Sequence, residues 1–324
     1  MLTPGSRIFL TLASRQSQAY VPRRWMSVRP EVKEAPARKK VTIQKLHSLK
    51  QKGTPVTVLT AYDYPSGVRC ERADIDVTLV GDSLAQVALG YDSTTRLTLD
   101  EMLHHIRAVA RGSRAPFLVA DMPFGTYHAS VEDAVRSAVR MVREGGAEAV
   151  KLEGGKEIVP TVKALTSVGI PVMAHVGLLP QRHAALSGYR VQGKDVTSAI
   201  ELVHAATELQ HAGAFSMVLE AVPHSLATHI TKQLVIPTIG IGAGPGCDGQ
   251  VLVQDDALGV WSGHKAKFVR RFADIGSAAA EGVNAYAKAV RDGSFPAVDV
   301  ESYEMDSGEW ERFAEHEQAR ESRR

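Results

Sequence analysis

Short apolar runs alternate along this chain with longer segments of helical period. From about residue 54 onward, eight runs rich in β-branched residues read as strands. They are VTVLTAYD (56–63), VTLVGDS (77–83), FLVADMP (117–123), AEAVKLEG (147–154), IPVMAHVG (170–177), FSMVLEAV (215–222), IPTIGIGA (236–243) and VLVQDDALGV (251–260). Between them, LDEMLHHIRAVARG (99–112), VEDAVRSAVRMVREGG (131–146) and DVTSAIELVHAATELQHAG (195–213) carry apolar residues at helical spacing, and the last two close on glycine, a common helix terminator. The alternation predicts parallel βα units. Eight strands in about 250 residues predict a (β/α)8 TIM barrel in preference to an open doubly wound sheet, although periodicity alone does not decide whether the sheet closes. The amphipathic stretch TIQKLHSLKQKG (42–53) predicts a helix before the first strand, placed to cover the bottom of the barrel.

Five consecutive strands finish on groups that are costly to bury: Asp82 with Ser83, Asp121, Lys151 with Glu153, His175, and Glu220. Any one of these acids, taken alone, is more often a turn former or helix cap. A single histidine is commonly a hydrogen-bonded core residue, and Lys151 alone reads as the partner of Glu153. The set has a different meaning, because strand C-terminal ends converge on one mouth in a parallel barrel. Lys151 and Glu153, two residues apart, face the same side of an extended strand. Four carboxylates crowded there raise one another's pKa unless something positive sits among them, and a divalent cation is the simplest partner. Oxygen donors suit Mg²⁺, whereas zinc draws on more His and Cys. An α-keto acid chelates such a metal, and polarising its ketone acidifies the neighbouring C–H bond. With the other acids at or near the metal, Glu220 is left as a general base.

Composition narrows the picture further. The 324 residues are 44% hydrophobic and 23% charged, ordinary for a soluble globular protein, and the formal net charge of +2 without a clustered basic face gives no reason to expect nucleic acid. No stretch approaches the length of a membrane span. Cys70 and Cys247 lie far apart outside any CxxC pair, so neither a zinc site nor a disulfide is indicated, and a reducing compartment follows. Arg7, Arg15, Arg23, Arg24 and Arg29 precede the first acid, Glu31. That composition predicts a mitochondrial transit peptide over residues 1–35, the alternative being a plain basic tail. Residues 299–324, dense in Glu and Arg, read as a charged exposed helix or tail, which leaves 36–298 as the catalytic barrel. Gly244, Gly246 and Gly249 satisfy GxGxxG, but the third glycine leads into QVLVQ, a strand where the dinucleotide fingerprint requires a helix, so a tight turn fits better.

The motifs TAYDYPSG, VGDSLAQVALGYDST, ADMPFGTY, VKLEGG, HVGLLPQ, GYRVQGK, VLEAVP and IGIGAGPGCDGQVLVQDDALG, spread between about residues 41 and 295, resemble the ketopantoate hydroxymethyltransferase family. The resemblance implies a barrel of the phosphoenolpyruvate/pyruvate superfamily that binds Mg²⁺. It also implies transfer of a hydroxymethyl group from 5,10-methylenetetrahydrofolate to 3-methyl-2-oxobutanoate, giving 2-dehydropantoate for pantothenate synthesis. On this resemblance the metal-binding acids fall on Asp82, Asp121 and Glu153, the keto-acid contacts on Asp82, Ser83, Asp121 and Lys151, and the catalytic base on Glu220; His175 matches an active-site histidine. Members are homo-oligomers, decamers among them, and fungal relatives carry an N-terminal extension. The chain departs from the family pattern at Ala85, where glycine is common, at Asp255, where histidine is common, and at Ala266, where proline is common. Two rival readings are a metal-dependent C–C lyase of the isocitrate lyase kind, which needs a catalytic cysteine on a KKCGH-like loop that the chain lacks, and a barrel that has lost catalysis, which the retained acids and Lys151 argue against.

Overall fold

The computed structural model describes residues 38–324 apart from 186, 187, 189, 261, 262 and 264. The transit peptide expected over residues 1–35 lies outside the described residues. Helix α1 (Ile43–Gln51) precedes strand β1 (Val56–Thr60). There follow α2 (Tyr64–Arg72), β2 (Val77–Val80), α3 (Leu84–Val87), α4 (Leu99–Gly112), β3 (Phe117–Asp121), α5 (Val131–Arg140), β4 (Ala149–Glu153), α6 (Val159–Ser167) and β5 (Val172–Gly177). Then come α7 (Val196–His211), β6 (Ser216–Glu220), α8 (His224–Gln233), β7 (Thr238–Ile241), β8 (Gly249–Leu252), α9 (Gln254–Leu258), α10 (Ile275–Asp292), α11 (Val298–Glu301) and α12 (Ser307–Glu321). All the strand pairs are parallel, and β8 pairs with β1, so the sheet closes in the order β1 to β8.

Closure sorts the strand residues into two apolar sets. One contains Val56, Val58, Val77, Leu79, Phe117, Val119, Ala149, Met173, Val218, Ile239 and Val251, at least one residue from every strand, together with Leu46 and Leu49 of α1. A set shared by all eight strands and by no outer helix is the barrel interior. The intervening residues, such as Val80, Leu118, Ala120, Val150 and Leu152, pack with Met102, Ile106, Val162 and Leu209 of the surrounding helices. The expected bottom helix is present as α1. Thr42 caps it by accepting a hydrogen bond from the Lys45 N–H, and Lys50 Nζ holds Asp248 Oδ2 at 2.6 Å.

Two expectations need correction. The eighth strand is Gly249–Leu252, earlier and shorter than 251–260, and residues 254–258 are the helix α9. Gly249 starts the strand because a Cβ there would lie 2.4 Å from the Val56 carbonyl, a proximity that only glycine permits, and Gln254 is buried with its side chain donating to the Thr60 carbonyl. The other strands, apart from β5, which reaches the expected Gly177, also end one to three residues sooner than their apolar runs. Asp63 leaves β1 to cap α2, and Asp82 and Ser83 lie in the turn between β2 and α3. Residues 242–248 join β7 to β8 with no helix between them, and Gly242 and Gly244 take positive φ there, as the turn reading of this glycine-rich stretch requires. At the C-terminal end the charged segment carries α12, which, like α10 and α11, has no buried residue.

Candidate active site

The interior face continues upward into polar residues. Val119 is followed two positions on by Asp121, Ala149 by Lys151 and then Glu153, Met173 by His175, and Val218 by Glu220. The period of two that sends the apolar residues inward therefore sends these inward as well. Strand register sets them side by side, Asp121 opposite Lys151 and Glu153 opposite His175. With Asp82 and Ser83 they line one cavity of about 990 Å³ at the C-terminal mouth of the barrel. The structure thus brings together every residue expected at the site.

Contacts within the group are direct. Lys151 Nζ donates to Asp121 Oδ1 at 2.7 Å and stands 3.9 Å from Glu153 Oε1. The Asp82 backbone N–H donates to Asp121 Oδ2 at 3.0 Å. Asp82, Asp121, Lys151, Glu153 and His175 are all buried, none more than 5% exposed, while the Glu220 side chain is 14% exposed. Burial, reinforced by the Asp121 charge, raises the Asp82 pKa to about 7. Burial and the Asp82 charge likewise push Glu153 well above the carboxylate range. Lys151 shows the opposite balance: burial works against its charge, but Asp121, Glu153 and Asp82 outweigh burial and raise its pKa.

His175 lies between two carboxylates, with Nδ1 3.5 Å from Glu153 Oε1 and Nε2 3.3 Å from Glu220 Oε2. These are close approaches without hydrogen-bond alignment, and both ring nitrogens are buried without a hydrogen-bond partner. Burial and the Lys151 ammonium lower the His175 pKa in spite of Glu220, which favours a neutral imidazole. The backbone beneath Glu220 is tightly made. Gly177 has φ +99°, and a Cβ there would fall 2.2 Å from the Glu220 carbonyl oxygen, while the following residue, Ala221, takes a left-handed φ of 47°.

Sequence reasoning missed Gln181 and Tyr127. Gln181 is 3% exposed in the turn Pro180–Arg182. Its amide donates to Asp82 Oδ2 and to the Met122 carbonyl, both at 2.9 Å, and its backbone N–H donates to Glu153 Oε2 at 3.1 Å. Tyr127 closes the brace by donating its hydroxyl to Gln181 Oε1 at 2.6 Å. Both residues sit inside quoted motifs, HVGLLPQ and ADMPFGTY, but a glutamine after a proline and a tyrosine in a loop carry no periodicity that would single them out. Of the departures, Asp255 accepts the Tyr62 hydroxyl at 2.8 Å, Ala85 is fully buried, and Ala266 lines the cavity mouth.

The donor set fits a hard divalent cation in charge and chemistry. Asp82, Asp121 and Glu153 offer only oxygen, and the single ammonium of Lys151 leaves the group with an excess of negative charge that burial penalises. Among the described residues no three His, Cys, Asp or Glu side chains are gathered as a ready-made cation cluster, since Lys151 and Gln181 engage several of the oxygens. Such a wall suits an ion that takes one or two carboxylates directly and keeps waters, as Mg²⁺ does.

Fold and site together define a class, the closed parallel barrel with an acidic, ligand-sized mouth at its strand C-termini. Two solved structures share that fold with TM-scores of 0.53 and 0.51, each aligned over 86% of this chain and 96% of its own. They are phosphonopyruvate hydrolase in complex with oxalate and Mg²⁺, at 15% identity, and 2,3-dimethylmalate lyase, a member of the phosphoenolpyruvate mutase/isocitrate lyase superfamily, at 19%. Within that class the sequence is decisive. The ketopantoate hydroxymethyltransferase family model matches residues 40–298, and the chain belongs to that family. It is 51% identical over 268 residues to the 3-methyl-2-oxobutanoate hydroxymethyltransferase of Heliobacterium modesticaldum, covering 83% of this chain and 97% of that one. To the enzyme of the same name from Emericella nidulans it is 49% identical over 266 residues, covering 82% and 76%.

Proposed function

We propose that this protein transfers a hydroxymethyl group from 5,10-methylenetetrahydrofolate to 3-methyl-2-oxobutanoate, giving 2-dehydropantoate on the way to pantothenate. The observation that carries the reading is the line of Asp121, Lys151, Glu153, His175 and Glu220 on one interior face above the apolar core, in a chain of this family. In this reading one or two of Asp82, Asp121 and Glu153 would take Mg²⁺ directly and the remainder through its waters, and the ion would supply Lewis acidity to the keto oxygen and so weaken the C3–H bond. The Mg²⁺ and oxalate bound by the distantly similar phosphonopyruvate hydrolase support a cation beside a small keto-acid-like dianion.

The chain's own residues carry the remaining work. Lys151 and Ser83 orient the acid's oxygens, and the narrow apolar barrel below excludes water. Glu220, the least buried of the acids, takes the C3 proton onto a carboxylate oxygen, with His175 Nε2 standing 3.3 Å from that carboxylate. The resulting carbanion equivalent forms a C–C bond to the donor's one-carbon unit as the first of that carbon's two C–N bonds breaks; water then displaces the second nitrogen and supplies the hydroxyl oxygen, and tetrahydrofolate leaves with one proton on each of those nitrogens, one from Glu220 and one from the water. The Arg-rich, acid-free stretch before Glu31 supports a mitochondrial location. Helix α10 buries none of its residues and exposes Val283, Tyr286 and Val290, which supports a homo-oligomer. The test is formation of 2-dehydropantoate from the keto acid and methylenetetrahydrofolate with and without Mg²⁺. Product in the presence of Mg²⁺ and none after chelation is expected, and no product under either condition refutes the reading.

A further inference from the structure

Buried polar atoms without a hydrogen-bond partner are rare in folded proteins, and a native one requires a reason. Among the described residues three side-chain atoms are in this state: both ring nitrogens of His175, and Thr94 Oγ1. Both residues line the same cavity. Thr94 is 3% exposed and opens the short turn Thr94–Arg96, which packs against α3 and against the turn that carries Gln181. Its neighbours are satisfied: the hydroxyls of Ser93 and Thr95 lie 2.8 Å apart, and Ser93 accepts from the Thr95 N–H. Of the three hydroxyls of Ser93, Thr94 and Thr95, that of Thr94 is the one left without a partner, inside the cavity wall.

A purely apolar role at this position would be met as well by valine, which has the same shape and no hydroxyl to desolvate. An orphan hydroxyl costs stability in the free protein unless a ligand completes it. The ligand of this cavity, on the functional reading above, is a small keto acid with three acceptor oxygens, facing a wall that is mostly carboxylate and poor in donors. We propose that Thr94 is a substrate-contacting residue whose hydroxyl donates to an oxygen of the bound keto acid, alongside Ser83 and Lys151. This inference rests on the keto-acid reading and adds to it a donor from the loop after β2.

Thr94→Val and Thr94→Ser in the full-length protein separate the possibilities. Three quantities would be measured: the thermal midpoint, the calorimetric affinity for 3-methyl-2-oxobutanoate with Mg²⁺ present, and KM for each substrate. Thr94→Val is expected to melt at or above the wild-type temperature, to bind the keto acid about 10- to 100-fold more weakly, as loss of a hydrogen bond to a charged group implies, and to leave the folate KM unchanged. Thr94→Ser is expected to keep wild-type affinity. Wild-type affinity in the valine variant, equal losses in both variants, or a lowered melting temperature for valine would each overturn the inference while leaving the functional reading intact. A wild-type protein that binds no keto acid would overturn both.

Discussion

Replacing Gln181 by leucine tests whether the carboxylate wall is held by the brace described above. The substitution keeps a similar volume and preserves the backbone N–H that donates to Glu153 Oε2. It deletes three side-chain hydrogen bonds, to Asp82 Oδ2, to the Met122 carbonyl and from the Tyr127 hydroxyl. A bond to a carboxylate contributes about 1.5–3 kcal/mol and a neutral one about 0.5–1.5 kcal/mol. The gross loss is therefore about 2.5–6 kcal/mol, of which burial of the new side chain restores about 1–2 kcal/mol. The net expectation is a destabilisation of about 1–5 kcal/mol in equilibrium urea unfolding. Because Asp82 would also lose its fixed orientation, Mn²⁺ or Mg²⁺ should bind more weakly to the folded variant, read by calorimetry independently of turnover. A loss below about 1 kcal/mol with unchanged cation affinity would show that the brace does not hold the acids and would refute the reasoning.

Two further changes bear on the same wall. Gly177→Ala places a Cβ against the Glu220 carbonyl at a φ of +99°, so it should destabilise the barrel by more than about 1 kcal/mol and lower kcat by about 100-fold through displacement of Glu220; a fully active, equally stable variant contradicts the close approach. The second concerns pH. The folded pKa of Asp82, about 7, lies above the ordinary value of 3.8, so the stability contributed by its protonated form is fully present below about pH 4 and is lost as pH rises through 7. In EDTA, wild type should therefore lose stability relative to Asp82→Asn between pH 5 and 8, by at most about 3 kcal/mol, and added Mg²⁺ should restore more at pH 8 than at pH 5. A constant difference between the two proteins across that range would contradict the burial of Asp82 as an uncompensated charge.

Much of this site was legible in the sequence because a barrel interior obeys a period of two. Once the strands were placed, Asp121, Lys151, Glu153, His175 and Glu220 followed as the next inward positions above Val119, Ala149, Met173 and Val218. Helix Leu99–Gly112 was equally clear, since Thr98 and Glu101 form a capping box at one end of a strongly amphipathic run. The failures have local causes. The apolar runs outlast the strands because residues such as Ala61, Met122 and Val222 stay buried after the ladder ends, so burial outlasts pairing. The eighth strand was misplaced because its start is fixed by the approach of Gly249 to Val56, about 190 positions away in sequence, which no local pattern records. Gln181, Tyr127 and Thr94 were invisible for a related reason: each acts through hydrogen bonds, or the lack of one, set by tertiary packing.

The central claim is that Glu220 removes the C3 proton of a keto acid held at this rim. It is tested most directly by following that proton with NMR, incubating 3-methyl-2-oxobutanoate with protein, Mg²⁺ and folate in D₂O. Wild type should exchange the C3 hydrogen for deuterium, and Glu220→Gln should slow the exchange by about 100- to 10,000-fold, the usual contribution of a positioned base. Exchange at the wild-type rate in Glu220→Gln would contradict the account.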